Sequence, residues 1–158
     1  MTGKTLARFA VVRFALVLSA ALALVSCAGN NDRSSEIRQW TDDLSFRISV
    51  KPAPPVSDYI TVFKVVVSDK ETGQPIQNGQ GRIFATSQER AQTGDGLAKG
   101  PEVGTYYAHV RFPVSGDWAM GLQFRRDSAS KLQRTQDWRQ QVLPAPPLGQ
   151  QPGDTTSH

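Results

Sequence analysis

The chain is poor in residues that do chemistry. Of 158 residues, one is cysteine, two are histidine (His109 and His158) and two are methionine (Met1 and Met120). One cysteine cannot form an internal disulfide, so the folded part must hold together by burying a core, and a very small domain is excluded. A soft-metal site needs several converging His, Met or Cys ligands, and here only His109 and Met120 stand within the central part of the chain. No Gly-x-Ser-x-Gly, His-Glu-x-x-His or glycine-rich phosphate loop occurs. Carboxylates are scattered beside turn glycines, as at Asp69 and Glu71 before Gly73, Asp95 between Gly94 and Gly96, and Asp117 after Gly116. Turn chemistry accounts for them, and a non-enzymatic protein is the expectation. No block of like charge occurs either; Arg125-Arg126 and Asp42-Asp43 are the densest.

What is present begins with an export signal. Lys4, Arg8 and Arg13 form a basic start, Phe14 to Val25 an apolar stretch, and Ala23 and Ser26 are the small residues before Cys27. That stretch is shorter than the roughly 20 apolar residues a membrane span needs. Leu24-Val25-Ser26-Cys27 resembles the lipobox of bacterial lipoproteins, which implies that Cys27 becomes the lipid-bearing N-terminus of a protein anchored in the cell envelope, facing the periplasm or the exterior. Residues 1–26 are then the signal peptide. Without their three basic residues, 18 basic and 14 acidic side chains become 15 and 14. A near-neutral mature chain offers no electrostatic case for nucleic acid.

Residues 27–41 are polar and turn-rich, and read as a flexible lipid-anchored tether. Residues 144–158 open on Pro144-Ala145-Pro146-Pro147 and read as a proline-rich disordered tail. Between them, 42–143 has period-two patterning. Leu44, Phe46, Ile48 and Val50 alternate with polar residues, Tyr59 to Val67 is apolar and β-branched on both faces, and Gly81 to Thr86 is a short strand. Ser87 to Val103 reads as a long loose connection, and Lys131 to Val142 as a last strand or arm, with a helix over 135–141 as the rival. The expected fold is all-β: an immunoglobulin-like antiparallel β-sandwich of about seven short strands.

Residues 102–125 carry the strongest pattern. Tyr106, Ala108, Val110 and Phe112 alternate, as do Trp118, Met120, Leu122 and Phe124, with Pro113 to Asp117 between them. Read as a hairpin, the register that puts both apolar sets on one face pairs Val110 with Met120. It places Trp118, Phe112 and Phe124 in the core and leaves His109 on the polar face, whereas a one-residue slip would set His109 opposite Met120 as a metal-ligand pair. Burial of four large side chains favours the first register. The spacing Glu102-x-Gly104-x-Tyr106-x-Ala108 resembles the start of immunoglobulin strand F, with alanine in place of cysteine, which implies that Gly104 and Tyr106 form a tyrosine corner.

Asp69-x-x-x-Gly73-x-Pro75-Ile76, Gly104-x-Tyr106-x-Ala108-x-Val110-x-Phe112 and Gly116-x-Trp118-x-Met120 together resemble the FixH and YtkA-like group of exported β-sandwich domains. The resemblance covers most of Tyr59 to Phe124. It implies a sandwich in the envelope and, for some relatives, copper handling or cytochrome-oxidase assembly. Those relatives carry Met and His in the loop before the Gly-x-Tyr strand; here 87–103 has neither. The expectation is therefore a lipid-anchored envelope module that binds or scaffolds another envelope protein, without a cofactor. A copper-handling or oxidase-assembly accessory is the alternative.

Overall fold

The computed structural model describes residues 36–147, so the expected signal peptide, Cys27, most of the expected tether and the expected tail beyond residue 147 lie outside the described residues. Ten strands form and, among the described residues, no helix. They are β1 (Ile37–Trp40), β2 (Leu44–Lys51), β3 (Ile60–Asp69), β4 (Gln80–Ser87), β5 (Gln92–Gly96), β6 (Ala98–Lys99), β7 (Thr105–Arg111), β8 (Gly116–Arg125), β9 (Gln133–Arg134) and β10 (Trp138–Val142). One sheet has the order β1-β2-β3-β7-β6; the other has β10-β8-β4-β5, with β9 also on β8. The strand ladders are antiparallel throughout. In immunoglobulin terms, β2, β3, β7 and β6 stand where strands A, B, E and D stand, and β10, β8 and β4 where G, F and C stand, with β5 beside β4 in the C′ place.

That topology corrects the hairpin. β7 pairs with β3 and β8 pairs with β4, so Pro113 to Ser115 carry the chain from one sheet to the other. Val110 is opposite Thr61 and Met120 opposite Ala85, not opposite each other. The two apolar sets still meet, because each lines the inner face of its own sheet. Phe112 packs edge-on against Trp118 at 5.2 Å between ring centroids, and Phe124 takes Tyr106 at 5.2 Å and Phe46 at 5.9 Å. Leu44, Ile48, Phe63, Val65, Ile83, Met120 and Leu122 fill the rest of a fully buried core.

The strand F assignment is likewise corrected, since β7 occupies the E place. Tyr106 does not make a local corner. Its hydroxyl donates to the Ile76 carbonyl at 2.7 Å and accepts from the Gly79 N–H at 3.0 Å, fixing the connection from β3 to β4 as it crosses between sheets. Burial pushes the phenol pKa up. Gly104 has φ +73°, and a Cβ there would lie 2.7 Å from Pro75 Cβ, so only glycine fits where β7 meets this connection.

Three further boundaries move. Residues 37–40 of the expected tether are a strand paired with β2. The expected loose connection contains β5 and β6, which pass from the second sheet to the first. β5 pairs with β4, the Leu97 N–H bonds the Gly81 carbonyl at 2.8 Å, and β6 pairs with Tyr106 and Tyr107. Beyond β6, side chains cover the β7 edge: Asp95 accepts the His109 N–H at 2.8 Å, and Thr93 donates to the Arg111 carbonyl at 2.8 Å. The rival helix at 135–141 is replaced by β10, whose Trp138 and Val142 point into the core.

At one end of the sandwich Arg126, just past β8, ties the sheets together. Its guanidinium donates to Asp43 at 2.8 Å and to Asp69 at 2.6 Å. Backbone and side-chain bonds from Thr72, together with Arg126, hold the Asp69 carboxyl well below its usual range. Burial pushes the Asp43 carboxyl up, but the bond and charge of Arg126 outweigh it and leave it lowered.

Two outcomes follow for urea melts. Trp118→Ala should cost about 3–5 kcal/mol, the range for truncating a buried aromatic, and Tyr106→Phe about 1–3 kcal/mol, because two buried backbone groups lose their partner. His109→Ala should stay within about 0.5 kcal/mol; a larger loss there than at Trp118 would mean that the faces are reversed. In the second, the depressed carboxylates stabilise the fold above the ordinary carboxylate range, and that contribution fades as pH falls below about 4. Arg126→Gln should therefore lower the urea midpoint at pH 7, and that deficit should begin to shrink as the pH falls below about 4. A deficit independent of pH would show that the clamp is not electrostatic.

Candidate functional site

The two metal candidates are set apart by the sheets. The His109 side chain is exposed on the outer face of β7, and Met120 is fully buried on β8 in the other sheet. They do not form a ligand pair. The turn carboxylates have structural partners: Asp69 caps Glu71 and Thr72, Asp95 binds its neighbour Gly96 and the His109 N–H, and Asp127 binds Ala129 and Ser130. Asp69 also accepts the Thr72 hydroxyl at 2.9 Å and shares Arg126 with Asp43.

On the outer face of the second sheet, Phe84 lies between two guanidinium groups, with Arg134 at 4.8 Å and Arg82 at 5.8 Å from the ring centroid. Its ring covers Gly121, where a Cβ would come within 2.5 Å of it. A shallow cleft of about 310 Å³ runs beside it, lined by Arg82, Thr86, Thr93 and Gln123. The glycine and the arginine stems give Phe84 a packing role: the ring fills the gap left by the missing side chain.

Two other features have no such internal explanation. The first is the edge of β1. The Thr41 N–H bonds the Leu44 carbonyl at 3.0 Å and closes the turn to β2. Hydrogen-bonded pairs alternate along an antiparallel ladder, so Gln39 and Ile37 direct their main-chain groups to Phe46 and Ile48. Arg38 and Trp40 direct theirs outward. Among the described residues no strand pairs with that edge. The Trp40 side chain stands beside it, 53% exposed. Sequence reading missed this feature because a four-residue strand holding one aliphatic residue has no period to detect.

The second is the end of the sandwich opposite Arg126. Tyr59, Ile60, Val114 and Leu143 are all exposed there. Their loops are tied to one another: the Ser57 N–H bonds the Leu143 carbonyl, the Leu143 N–H bonds the Pro55 carbonyl, and the Asp58 N–H bonds the Phe112 carbonyl, each at 2.8 Å. Trp118 Nε1 holds the Val114 carbonyl at 3.2 Å.

No family model matches the chain, and no curated protein does. Among solved structures, the fold is similar to that of a DUF4426 family protein from Pseudomonas aeruginosa PAO1. The two share 16% sequence identity with a TM-score of 0.54, over 73% of this chain and 99% of that one. At that identity the likeness is one of fold: an all-β sandwich.

The separation of His109 from Met120 sets an expectation for metal. With Cys27→Ser to remove the thiol, competition against a Cu(I) chelator should show the protein binding no more tightly than an isolated surface histidine. A stoichiometric tight site lost in His109→Ala or Met120→Leu would contradict the geometry.

Proposed function

We propose that the protein is a non-enzymatic lipoprotein of the bacterial cell envelope, held at the membrane through Cys27, and that it binds another envelope protein by taking a strand of it along β1. The β1 edge, which no strand pairs among the described residues, carries this reading. Exposed edges are usually blunted by short length, charge, proline, bulges or a covering segment, and of these β1 has its four-residue length and the charge of Arg38. This one offers the main-chain groups of Arg38 and Trp40 beside an indole, the combination of backbone bonding and side-chain anchorage used in strand addition. The export signal, the lipobox-like Leu24-Val25-Ser26-Cys27 and the resemblance to exported FixH and YtkA-like domains support the envelope location.

Substitutions separate edge bonding from mere surface contact. A proline removes one main-chain donor. Arg38→Pro takes away an outward N–H and leaves the bonds of Gln39 to β2 in place. Benzoylphenylalanine at position 40 should crosslink to one discrete envelope protein in living cells, and the same residue at position 132 should not. Adding Arg38→Pro should abolish the adduct. No adduct at position 40, or one that survives Arg38→Pro, would contradict strand addition.

A further inference from the structure

The apolar end of the sandwich and the anchoring cysteine belong to one device. Seven large apolar residues are exposed among the described ones, and four of them, Tyr59, Ile60, Val114 and Leu143, share the end formed by the β2–β3 loop, the crossover from β7 to β8 and the end of β10. Ile60 is 61% exposed although it begins a strand. The backbone bonds already described hold these loops in place, so the patch is preformed. Lys51 and Arg111 flank it, and so do the carboxylates Asp58, 3.7 Å from Arg111, and Asp117.

The opposite end also exposes apolar residues, Trp40, Val103 and Leu132, but sets them among carboxylates. Asp42, Asp43, Glu71, Glu102 and Asp127 lie in the turns there and Asp69 ends β3, with Arg126 paired to Asp43 and Asp69 and Lys64 to Glu102. An anionic lipid surface would repel those groups, and burying any of them would carry a desolvation cost. A tyrosine among aliphatic side chains with basic residues at the margin suits the headgroup boundary.

Chain direction points the same way. β1 runs from the apolar end toward the acidic one, since Ile37 faces Ile48 and Trp40 faces Ser45. The chain therefore reaches β1 from the apolar side. Glu36 is nine residues after Cys27, which is at most roughly 30 Å of extended chain. A domain on so short a leash stays within reach of the bilayer surface, so one end of the sandwich can rest on it.

The geometry points to the Tyr59, Ile60, Val114 and Leu143 end as a membrane-docking surface that seats on a bilayer containing anionic phospholipid. The inference rests on the lipoprotein reading above. It stands the sandwich on the bilayer and keeps the β1 edge lateral and free.

The test uses protein purified as the cell makes it, placed in nanodiscs of phosphatidylethanolamine and phosphatidylglycerol that contain a gadolinium-chelating lipid. Its intact mass reports separately whether Cys27 carries lipid. If it does not, the thiol of this single cysteine is coupled to a maleimide lipid, so that docking is read even where the lipoprotein reading fails. Methyl signals of Ile60, Val114 and Leu143 should broaden several-fold more than those of Val103 and Leu132. The double variant Ile60→Asp, Val114→Asp, which changes only exposed side chains, should erase the difference. Equal broadening at both ends, or stronger broadening at Val103 and Leu132, would overturn the docking surface. So would a protected end that ignores the lipid because a protein partner or the chain's own tail covers it.

Discussion

Phe124 joins the two sheets through two ring contacts, and the crossing of the chain from β3 to β4 depends on it. Tyr106 and Phe46 reach it from the first sheet, and its ring lies where a Cβ on Gly79 would stand, 2.0 Å from its Cζ. The connection from β3 to β4 can therefore cross between sheets only as glycine, directly over this ring. The Tyr106 hydroxyl then fixes that crossing through Ile76 and Gly79. A sandwich without disulfides depends on such contacts: a large apolar term from interlocked aromatic rings, and a few buried polar groups whose partners specify one arrangement.

Side-chain period could be read from the sequence, whereas strand partnership could not. Tyr106, Ala108, Val110 and Phe112, like Trp118, Met120, Leu122 and Phe124, are buried on alternation alone. Alternation states which face a residue shares with the core; it does not say which strand lies alongside. Pro113-Val-Ser-Gly-Asp117 is compatible with a hairpin or with a crossover, and only the pairing of β7 with β3 and of β8 with β4 decides between them. β5 was illegible for another reason. Gln92-Thr-Gly-Asp-Gly96 buries almost nothing and is held by its ladder to β4 and by bonds from Thr93 and Asp95. The clamp of Arg126 on Asp43 and Asp69 spans 83 and 57 positions in the chain, a distance over which local pattern carries no information.

The same distinction governs the candidate site. Residues that catalyse or bind metal announce themselves by type and spacing, and here His109 and Met120 are placed on different sheets. An interaction edge has no residue signature. β1 is recognisable only once the Thr41–Leu44 turn fixes which main-chain groups face outward, and the apolar end only once loops distant in sequence are seen bonded together. Both features require the folded backbone.

Cys27 decides the proposed reading, because attachment there would put a short leash to a membrane behind the β1 edge and the apolar end. Intact-mass measurement of the protein recovered from the cell envelope tests this most directly. The account predicts a chain that begins at Cys27, carries a diacylglyceryl thioether and partitions into detergent. A water-soluble protein that begins at another residue, with an unmodified cysteine or none, would contradict it.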